Sequence, residues 1–297
     1  MNEFQLIKEI VSTLGDRATG DWVSVGPGDD CSVVTVSPDC EVVSSIDSLV
    51  SGVHFPIDAA AELVGYRSLL VSLSDVSAMG ADPRYVLINL SLPSGYEQWA
   101  LDCARGMKNA AIDNHIYVCG GNLNKGNLSI TVSAHGEVPL GKSVLRSGAQ
   151  SGDSVFVSGK LGGAASYIRR LAELAPGLAD YETLKNAFYQ PTSCVGITRE
   201  VRNKATACID ISDGLMQDLQ HILSSSSVGA KLFSKEIPVC EGSKLSDALY
   251  GGDDYQLLCT SPRAMPDFFR IGEITRGEGI LMDDVALAGR GYNHFEI

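Results

Sequence analysis

The sequence EVVSSIDSLVSGVHF, residues 41–55, joins an apolar run to a group of oxygen-bearing side chains. Its two adjacent valines predict a short strand, and that strand ends where Ser45 and Asp47 stand. His54 follows, next to a glycine that allows a tight turn. A carboxylate, a hydroxyl and an imidazole at the end of a strand suit a metal-bound phosphate. Serine and aspartate also end strands simply because they form turns, so this stretch alone leaves both interpretations open.

Further acidic residues stand at similar places along the chain. In GPGDDCSVV the second acid is Asp30, which lies between flexible glycines and an apolar strand candidate. Another apolar strand candidate carries Asp210 and is followed by Ser212, Asp213 and a helix. Serine is a preferred N-cap residue, so we predict that Ser212 caps this helix. Asp213 would then lie at the positive end of the helix dipole. Capping does not explain Asp210, because an acid inside an apolar strand is costly unless it is paired or binds a metal.

Residues 62–79 predict a helix whose apolar face is complemented by a stripe of small polar side chains. Ser68, Ser72 and Asp75 share that second face because they are spaced at i, i+4 and i+7. A solvated helix face more usually carries Lys and Glu, so we expect the stripe to line a polar cavity. Plain exposure to solvent is the alternative.

The chain has 297 residues, which is long enough for two domains with separate cores. Strands and helices alternate through the first 137 residues, and the pattern restarts after a segment rich in Gly, Ser and Pro. We therefore predict an α/β fold with mixed sheets in two domains, 1–137 and 138–297.

The composition excludes several classes of protein. A net charge of -13 argues against binding the nucleic-acid backbone, which requires clustered Lys and Arg, and no apolar run reaches the length of a membrane span. The N-terminal residues lack the pattern of a secretion signal, and the eight cysteines are scattered without a C-x-x-C pair. We expect a cytoplasmic protein with reduced, mostly buried thiols and with neither a nucleic-acid nor a membrane partner.

The candidate carboxylates are more numerous than one acid–base pair requires. If several of them converge, their mutual repulsion requires cations, and ligand sets made only of oxygen select Mg²⁺. Phosphoryl transfer is the reaction that suits such a site, because there the protein mainly positions phosphates and neutralises their charge. Such a mechanism needs no covalent nucleophile from the chain.

Eight motifs resemble, in this order along the chain, the thiamine-monophosphate kinase family: GPGDDCSVV, SSIDSLVSGVHF, LLVSLSDVSAMGADP, CGGN, LRSGAQSGD, CIDISDGLMQDL, YGGDDYQLL and GYNHF. The resemblance implies a two-domain α/β fold of the aminoimidazole ribonucleotide synthetase-like superfamily and a homodimer paired through the N-terminal domains. It also implies that ATP and several Mg²⁺ ions bind. The implied reaction transfers the γ-phosphoryl group of ATP directly onto thiamine monophosphate and gives thiamine diphosphate.

The same resemblance implies roles for the residues that match the family's motifs. The metal positions are Asp30, Ser45, Ile46, Asp47, Asp75, Asn122, Asp210 and Asp213. The ATP positions are Gly121, Asn122, Arg146 and Ser212. The positions for thiamine monophosphate are His54, Asp253 and Tyr292. The guanidinium group of Arg146 suits phosphate oxygens, and the ring of Tyr292 suits the thiamine heterocycles.

Three residues depart from the family pattern. Asn122 stands where the family has an aspartate, so an amide replaces a metal-binding carboxylate. Ile46 stands where the family has a threonine and offers a metal only its backbone carbonyl, and Asp253 replaces a longer glutamate. We predict weaker Mg²⁺ affinity at one site, since two unit charges about 4 Å apart interact by roughly 4 kcal/mol at an effective dielectric constant near 20.

Two alternatives stand beside an active kinase of this family. The first is a related superfamily enzyme with another substrate, although the glycine-rich loop with a reactive Cys that selenophosphate synthetases carry does not precede Gly26. Aminoimidazole ribonucleotide synthetases are less similar around His54. The second is a catalytically weak or silent relative that binds nucleotide or thiamine phosphates, an interpretation that Asn122 and Ile46 favour.

Overall fold

The computed structural model of the chain describes residues 2–287. The chain divides into two compact units. The first unit comprises Met1–Val76 and Asp82–Gly141, and the second comprises Ser77–Ala81 and Lys142–Ile297. The domain boundary placed from the sequence lies four residues before the end of the first unit.

The first unit contains three α-helices and six strands among its described residues. The helices are α1 Glu3–Leu14, α2 Ala61–Ala78 and α3 Glu97–Asp113, and a short 3-10 helix, Gly15–Ala18, follows α1. The strands are β1 Val23–Val25, β2 Val33–Val34, β3 Cys40–Val50, β4 Asp82–Leu92, β5 Tyr117–Lys125 and β6 Ser129–Pro139. Helix α2 confirms the helix predicted over 62–79.

Four long strands of the first unit form one sheet in the order β3-β6-β4-β5. The pairs β3–β6 and β6–β4 are antiparallel, and β4–β5 is parallel. Side chains alternate between the two faces along each strand. On one face Ile130, Val132 and Ala134 of β6 are buried, whereas the side chains between them are partly exposed. The sheet therefore has a covered face and an open face.

Helix α2 lies against the covered face. Leu69, Leu73 and Val76 are almost completely inaccessible, as their spacing in the sequence predicts. A Cβ atom at Gly136 of β6 would lie only 2.5 Å from the side chain of Val76, so the helix approaches the sheet closely. Burial of apolar area, worth about 25 cal/mol per Å², holds the helix in this position. The packing presents Asp75 to the covered face of the sheet.

The second unit contains five α-helices and seven strands among its described residues. The helices are α4 Gly163–Arg170, α5 Tyr181–Tyr189, α6 Thr198–Lys204, α7 Leu215–Ser226 and α8 Leu245–Tyr250, with 3-10 helices at Val195–Ile197 and Ser234–Glu236. The strands are β7 Ser154–Val157, β8 Ala207–Asp210, β9 Gly229–Leu232, β10 Leu257–Ser261, β11 Phe269–Thr275, β12 Ile280–Met282 and β13 Val285–Leu287. Within residues 2–287, no helix combines the length and the apolar character that crossing a bilayer requires.

The strands of the second unit form one sheet in the order β13-β12-β9-β11-β7-β10-β8. Its pairs are antiparallel except for the parallel pair β12–β9. Val155 and Val157 of β7 pack in one apolar cluster with Leu219 of α7, whereas Phe156 between them packs in a second cluster. Both faces of this sheet are therefore buried. The two units confirm the predicted α/β fold with mixed sheets.

Two strands contain predicted site residues. Strand β3 continues through Ser45 and Asp47 to Val50, and β5 continues through Gly121 and Asn122. Ser45 and Asp47 therefore lie within a strand and do not end it, which corrects the prediction. Both strands pair with a neighbour over their extended length. Pairing of this kind joins residues far apart in the chain, so the local sequence does not reveal it.

Candidate active site

Three predicted metal positions of the first unit lie together between β3 and α2. Ser45 and Asp47 alternate with exposed residues along β3, so both side chains point to the covered face. The Oγ atom of Ser45 donates a hydrogen bond of 2.5 Å to Oδ2 of Asp75. Burial, reinforced by the neighbouring Asp75 carboxylate, raises the pKa of Asp47 to about 7, although a hydrogen bond from Ser72 opposes the rise.

This arrangement disfavours two negative charges. Asp47 and Asp75 are close enough for the charge on one to oppose ionisation of the other. A bound cation removes that penalty, and the neighbouring donors are carboxylate and hydroxyl oxygens, which Mg²⁺ prefers. The residues present therefore fit a magnesium site in which Ser45 offers a neutral oxygen.

The polar stripe of α2 is buried for most of its length. Ser68 and Ser72 are at most 1% exposed, and their hydroxyls donate hydrogen bonds to the Gly65 and Ser68 carbonyls of their own helix at 2.8 and 3.3 Å. Only Asp75 is partly exposed. Plain solvent exposure therefore describes neither serine: the Ser68 hydroxyl is satisfied within its own helix, whereas the Ser72 hydroxyl also lies beside the polar Asp47 carboxylate.

Asn122 and Ile46 direct their side chains to the open face of the same sheet. Nδ2 of Asn122 donates a hydrogen bond of 2.8 Å to Oδ1 of Asn89 on β4. The pairing register across the four strands places these amides in one row with Ser48, which follows Asp47 on β3. Ile46 precedes Asp47 and is 67% exposed. The sheet therefore separates the side chains of Asn122 and Ile46 from the Asp47 carboxylate.

Gly121 lies where β5 approaches β4 very closely. A Cβ atom at this position would lie 2.0 Å from the backbone carbonyl oxygen of Ile88. Strand packing by itself therefore requires glycine here. The expected contact of Gly121 with ATP stays a prediction.

His54 and Asp30 occupy loops of the first unit. The backbone N–H of His54 donates to the Val50 carbonyl at 2.9 Å, and the Val50 N–H donates to Nδ1 of His54 at 3.0 Å. Because Nδ1 accepts a hydrogen bond, the neutral ring carries its proton on Nε2. Asp30 is exposed between β1 and β2, and its backbone N–H donates to Oδ1 of Asp29 at 2.8 Å. No hydrogen bond within residues 2–287 joins the Asp30 carboxylate to Asp75.

The predicted positions of the second unit lie where β8 ends and α7 begins. Asp210 is the last residue of β8 and is only 4% exposed. The prediction that Ser212 caps α7 is wrong, because Gly214 is the N-cap residue and no capping side chain is bonded there. Instead, Oδ2 of Asp218 in the first turn accepts hydrogen bonds from the backbone N–H groups of Asp213 and Gly214 at 3.1 and 3.0 Å. A carboxylate inside the helix thus satisfies donors at its start.

Asp213, Asp218 and His221 form a second group with the geometry to hold a metal ion. Their ligand atoms lie within 4.8 Å of one another, and Nε2 of Gln217 donates a hydrogen bond of 2.8 Å to Asp213. Burial, reinforced by the charge of Asp213, raises the pKa of Asp218 to about 7, although backbone N–H donors oppose the rise. Asp218 and His221 were not among the site residues predicted from the sequence. Their i, i+3 spacing on a helix face was a usable signal.

The loop that carries Asp253 is bonded to the loop after β8. The backbone N–H groups of Asp253 and Tyr255 donate to the carbonyls of Ser212 and Ile211 at 2.9 and 2.8 Å. The hydroxyl of Tyr255 also donates to Oδ1 of Asp253 at 2.9 Å. Asp253 and Tyr255 have φ angles of 69° and 51°, a region that non-glycine residues adopt only when their surroundings impose it. Asp253 and Ser212 therefore lie in one strained assembly.

Asp254, for which the sequence analysis proposed no role, anchors this assembly. Asp254 is 5% exposed, and its two carboxylate oxygens accept hydrogen bonds from the Gly162 N–H at 2.9 and 2.8 Å, at the start of α4. Burial raises the pKa of Asp254 well above its ordinary value, although the backbone donors oppose the rise. The side chain therefore ties the Asp253 loop to a helix terminus.

Arg146 is exposed in the loop before β7. The Arg146 carbonyl accepts a hydrogen bond of 3.4 Å from Oγ of Ser226. The same Oγ atom of Ser226 accepts a hydrogen bond of 3.1 Å from the Gly148 N–H. The loop is thus attached to the end of α7. Tyr292 lies outside the described residues.

Comparison with known proteins matches both halves of the chain. Residues 28–138 match the family model described as AIR synthase related protein, N-terminal domain, and residues 150–270 match AIR synthase related protein, C-terminal domain. These matches confirm the superfamily predicted for the fold.

The chain is also similar along its length to individual proteins of one kind. The thiamine-monophosphate kinase of Escherichia coli (strain K12) is 33% identical over 322 residues, which cover 99% of this chain and 98% of that protein. The crystal structure of thiamine-monophosphate kinase from Stenotrophomonas maltophilia K279a matches with a TM-score of 0.87 and 35% identity, covering 97% of this chain and 98% of that one. A structure of AaThiL complexed with AMPPCP and TMP matches with a TM-score of 0.82 and 32% identity, covering 99% and 97%.

Proposed function

This chain belongs to the thiamine-monophosphate kinase family, and we propose that its phosphoryl-transfer site is built on Ser45, Asp47 and Asp75 together with Mg²⁺. As a member of that family, it uses ATP to convert thiamine monophosphate into thiamine diphosphate. The observation that carries the site assignment is the 2.5 Å hydrogen bond from Ser45 to Asp75, beside the partly buried carboxylate of Asp47.

The reaction forms one phosphorus–oxygen bond and breaks another. A phosphate oxygen of thiamine monophosphate attacks the γ-phosphorus of ATP, and the bond between that phosphorus and the bridging oxygen of ADP breaks. The chain forms no covalent intermediate, so its contribution is to bind and align two phosphates. Ser45, Asp47 and Asp75 would hold Mg²⁺, whose charge would offset the negative charge that accumulates there.

We assign the other predicted positions from the family resemblance. The proposed Mg²⁺ ligands are Asp30, Ser45, the Ile46 carbonyl, Asp47, Asp75, Asn122, Asp210 and Asp213. The proposed ATP contacts are Gly121, Asn122, Arg146 and Ser212, and the proposed contacts of thiamine monophosphate are His54, Asp253 and Tyr292. Because the side chain of Asn122 lies on the open face, it serves a different ion from the one that Asp47 and Asp75 share.

His54 is prepared to donate a hydrogen bond to a phosphate. The bond from the Val50 N–H to Nδ1 leaves the ring proton on Nε2 and fixes the ring orientation. An oriented N–H donor suits an oxygen of the acceptor phosphate without requiring a positively charged ring. We therefore expect His54→Gln, which retains a donor, to keep more activity than His54→Ala.

We further propose a homodimer that pairs through the first unit. The open face of its sheet supports this, since Val42 and Ile46 on β3 are 52% and 67% exposed. Apolar side chains exposed in one row of a sheet face are typical of an interaction surface. Sedimentation of the natural chain and of Ile46→Asp tests the proposal, which expects a dimer for the former and a weakened dimer for the latter.

We propose a cytoplasmic location, with no nucleic-acid or membrane partner. All eight cysteines carry free thiols and most of them are buried, as is usual in a reducing compartment. The negative net charge repels the phosphate backbone of nucleic acids. Fractionation of cells and localisation of the tagged chain test this expectation.

The competing interpretation is a weak or silent relative, and Asn122 is the residue that favours it. Measurement of ADP release with thiamine monophosphate, and with the substrates of aminoimidazole ribonucleotide synthetase and selenophosphate synthetase, separates the possibilities. We expect steady ADP release only with thiamine monophosphate. Tight ATP binding by calorimetry without turnover over hours would favour the silent relative, and turnover with another substrate would favour the related enzyme.

A further inference from the structure

Cys208 and Cys259 lie side by side in the core of the second unit. They are 2% and 0% exposed, and they stand directly opposite each other in the pairing of β8 with β10. Their Sγ atoms are 3.1 Å apart. Phosphoryl transfer uses neither thiol, so their close approach has no explanation in the proposed reaction.

The strand geometry allows a covalent bond between them. The backbone N–H of Cys208 donates to the Leu145 carbonyl at 3.0 Å, so it does not bond to β10. Cys208 and Cys259 are therefore a non-hydrogen-bonded pair, in which antiparallel strands hold opposite Cα atoms about 4.5 Å apart. Disulfides span Cα separations of roughly 4.4–6.8 Å, so the pair meets this requirement without separation of the strands.

We propose that Cys208 and Cys259 are a redox modification site at which a peroxide closes a disulfide between β8 and β10. Hydrogen peroxide oxidises one thiol to a sulfenic acid and leaves one water; the second thiol then attacks that sulfur and releases a second water. Two thiols and one peroxide thus give one disulfide and two waters, and two electrons pass from sulfur to peroxide oxygen. Burial raises the pKa of the Cys208 thiol well above its ordinary value, which makes the reaction slow.

The disulfide acts on residues of the proposed active site. Asp210 follows two positions after Cys208 on the same face of β8, and the Cys208 N–H holds Leu145, the neighbour of Arg146. Closing the bond shortens the sulfur separation from 3.1 Å to about 2.05 Å and ties β8 covalently to β10 beside Asp210. Asp210 and the loop of Arg146 then shift together. This consequence rests on the proposed function, because it requires that these positions bind metal and ATP.

The test oxidises the folded, full-length chain with hydrogen peroxide, removes the peroxide with catalase and alkylates the remaining thiols after denaturation. Peptide mass spectrometry is expected to show a linked pair of peptides containing Cys208 and Cys259. Thiamine diphosphate formation is expected to fall about tenfold and to recover with dithiothreitol, since misplacement of active-site groups by about 1 Å costs up to roughly 100-fold in rate.

Two variants and one control separate this pair from other thiols. Cys208→Ala and Cys259→Ala are expected to keep their activity after peroxide, and either one suffices if the other does not fold. Both retain the exposed Cys31, so loss of activity through that thiol would appear in them too. Cys103→Ala, which removes a buried thiol of the first unit, is expected to respond like the natural chain.

Cys194 is a buried thiol of the same apolar cluster as Cys208 and Cys259. Three results would overturn the proposal: no linked peptide from the folded chain, a link that joins Cys194 instead, or a complete Cys208–Cys259 link without loss of activity. If the reduced chain forms no thiamine diphosphate at all, the proposed function fails. The peptide link still decides the modification site in that case.

Discussion

Asp47 in the first unit and Asp218 in the second meet the same electrostatic problem with different surroundings. Asp218 is buried and Asp47 is partly buried; each lies beside a second acid, Asp213 or Asp75, and each has its pKa raised to about 7. Asp218 accepts hydrogen bonds from two backbone N–H groups at the start of α7. For Asp47, only the hydrogen bond from the Ser72 hydroxyl opposes the rise in pKa.

We infer from this difference that the folded chain itself stabilises the Asp218 carboxylate, whereas the Asp47 carboxylate requires a ligand. Backbone donors compensate Asp218 within the folded chain, so its charge has a structural partner. Asp47 has a hydroxyl and a repelling neighbour, so we propose that a cation would complete its surroundings.

Asp47→Asn is expected to lower thiamine diphosphate formation by about 100- to 1,000-fold, because charge stabilisation at a transferring phosphoryl group is lost. The fold is expected to survive, since the substitution removes a buried charge. Initial rates at saturating Mg²⁺, with circular dichroism of the same samples, measure both effects. Asp39→Asn, an exposed acid shortly before β3, is the matched control and is expected to turn over normally. Near-normal turnover by Asp47→Asn would show that the reaction does not require the charge of Asp47.

The free energy of unfolding is expected to depend on pH through these two acids. Their pKa values are raised from 3.8 to about 7 on folding, so the bound proton stabilises the folded chain fully below about pH 4, and this stabilisation is lost as the pH rises through 7. The loss is at most about 4 kcal/mol for each group at 1.36 kcal/mol per pH unit.

Thermal unfolding between pH 5 and pH 8.5, with and without Mg²⁺, measures that loss. We expect Mg²⁺ to restore stability above pH 7 in the natural chain and to restore much less in Asp47→Asn. Equal restoration in both would show that Asp47 does not bind the ion.

Asp218→Ala and Asp218→Asn are expected to separate a structural acceptor from a charge. Alanine leaves the N–H groups of Asp213 and Gly214 without their acceptor, which costs about 1–3 kcal/mol in the free energy of unfolding. Asparagine keeps one acceptor oxygen and is expected to be nearly as stable as the natural chain. Urea unfolding of the three proteins measures this, and equal stability of the alanine and natural chains would contradict it.

Tyr255→Phe is expected to raise KM for thiamine monophosphate about 3- to 10-fold while KM for ATP stays unchanged. The substitution removes the 2.9 Å hydrogen bond that orients Asp253, and such a bond contributes about 0.5–1.5 kcal/mol. In an Asp253→Asn background the same substitution is expected to add little further loss. Tyr250→Phe, outside this bond, is the control. Equal increases in both KM values would indicate general loosening of the loop.

Asn122→Asp is expected to have the smallest effect, a modest decrease in the Mg²⁺ concentration required for half-maximal rate. The added charge lies on the open face of the sheet, away from the Asp47 carboxylate. Rates across a Mg²⁺ series for the natural chain and the variant measure the change. A large gain in maximal rate would mean that Asn122 acts on the same ion as Asp47.

Local periodicity was enough to predict α2 and the place of Asp75 on it. The spacing of Leu69, Leu73 and Val76 reports a helix without reference to any other part of the chain. The resemblance identified the family because eight of its motifs occur in the same order along the chain. The position of the candidate site residues within their strands was harder to predict, because it depends on which strands pair with one another.

Strand β3 shows why. Its polar residues indicate the end of a strand when they are considered alone, yet pairing with β6 extends the strand to Val50. The face that Asn122 occupies was equally hidden, because the register between β4 and β5 shifts between Val86 and Leu87. A single shift of this kind moves every later side chain to the other face. The i, i+3 spacing of Asp218 and His221 could have marked these residues, but the backbone donors that bind Asp218 are not visible in a sequence.

The most direct test of the central claim is the conversion of thiamine monophosphate by the purified chain with ATP, followed by chromatography, with Mg²⁺ present and then with excess chelator. We expect thiamine diphosphate and ADP in equal amounts with Mg²⁺, no product with chelator, and full recovery when Mg²⁺ is restored. Product formation that continues in excess chelator, or ADP release without thiamine diphosphate, would contradict it.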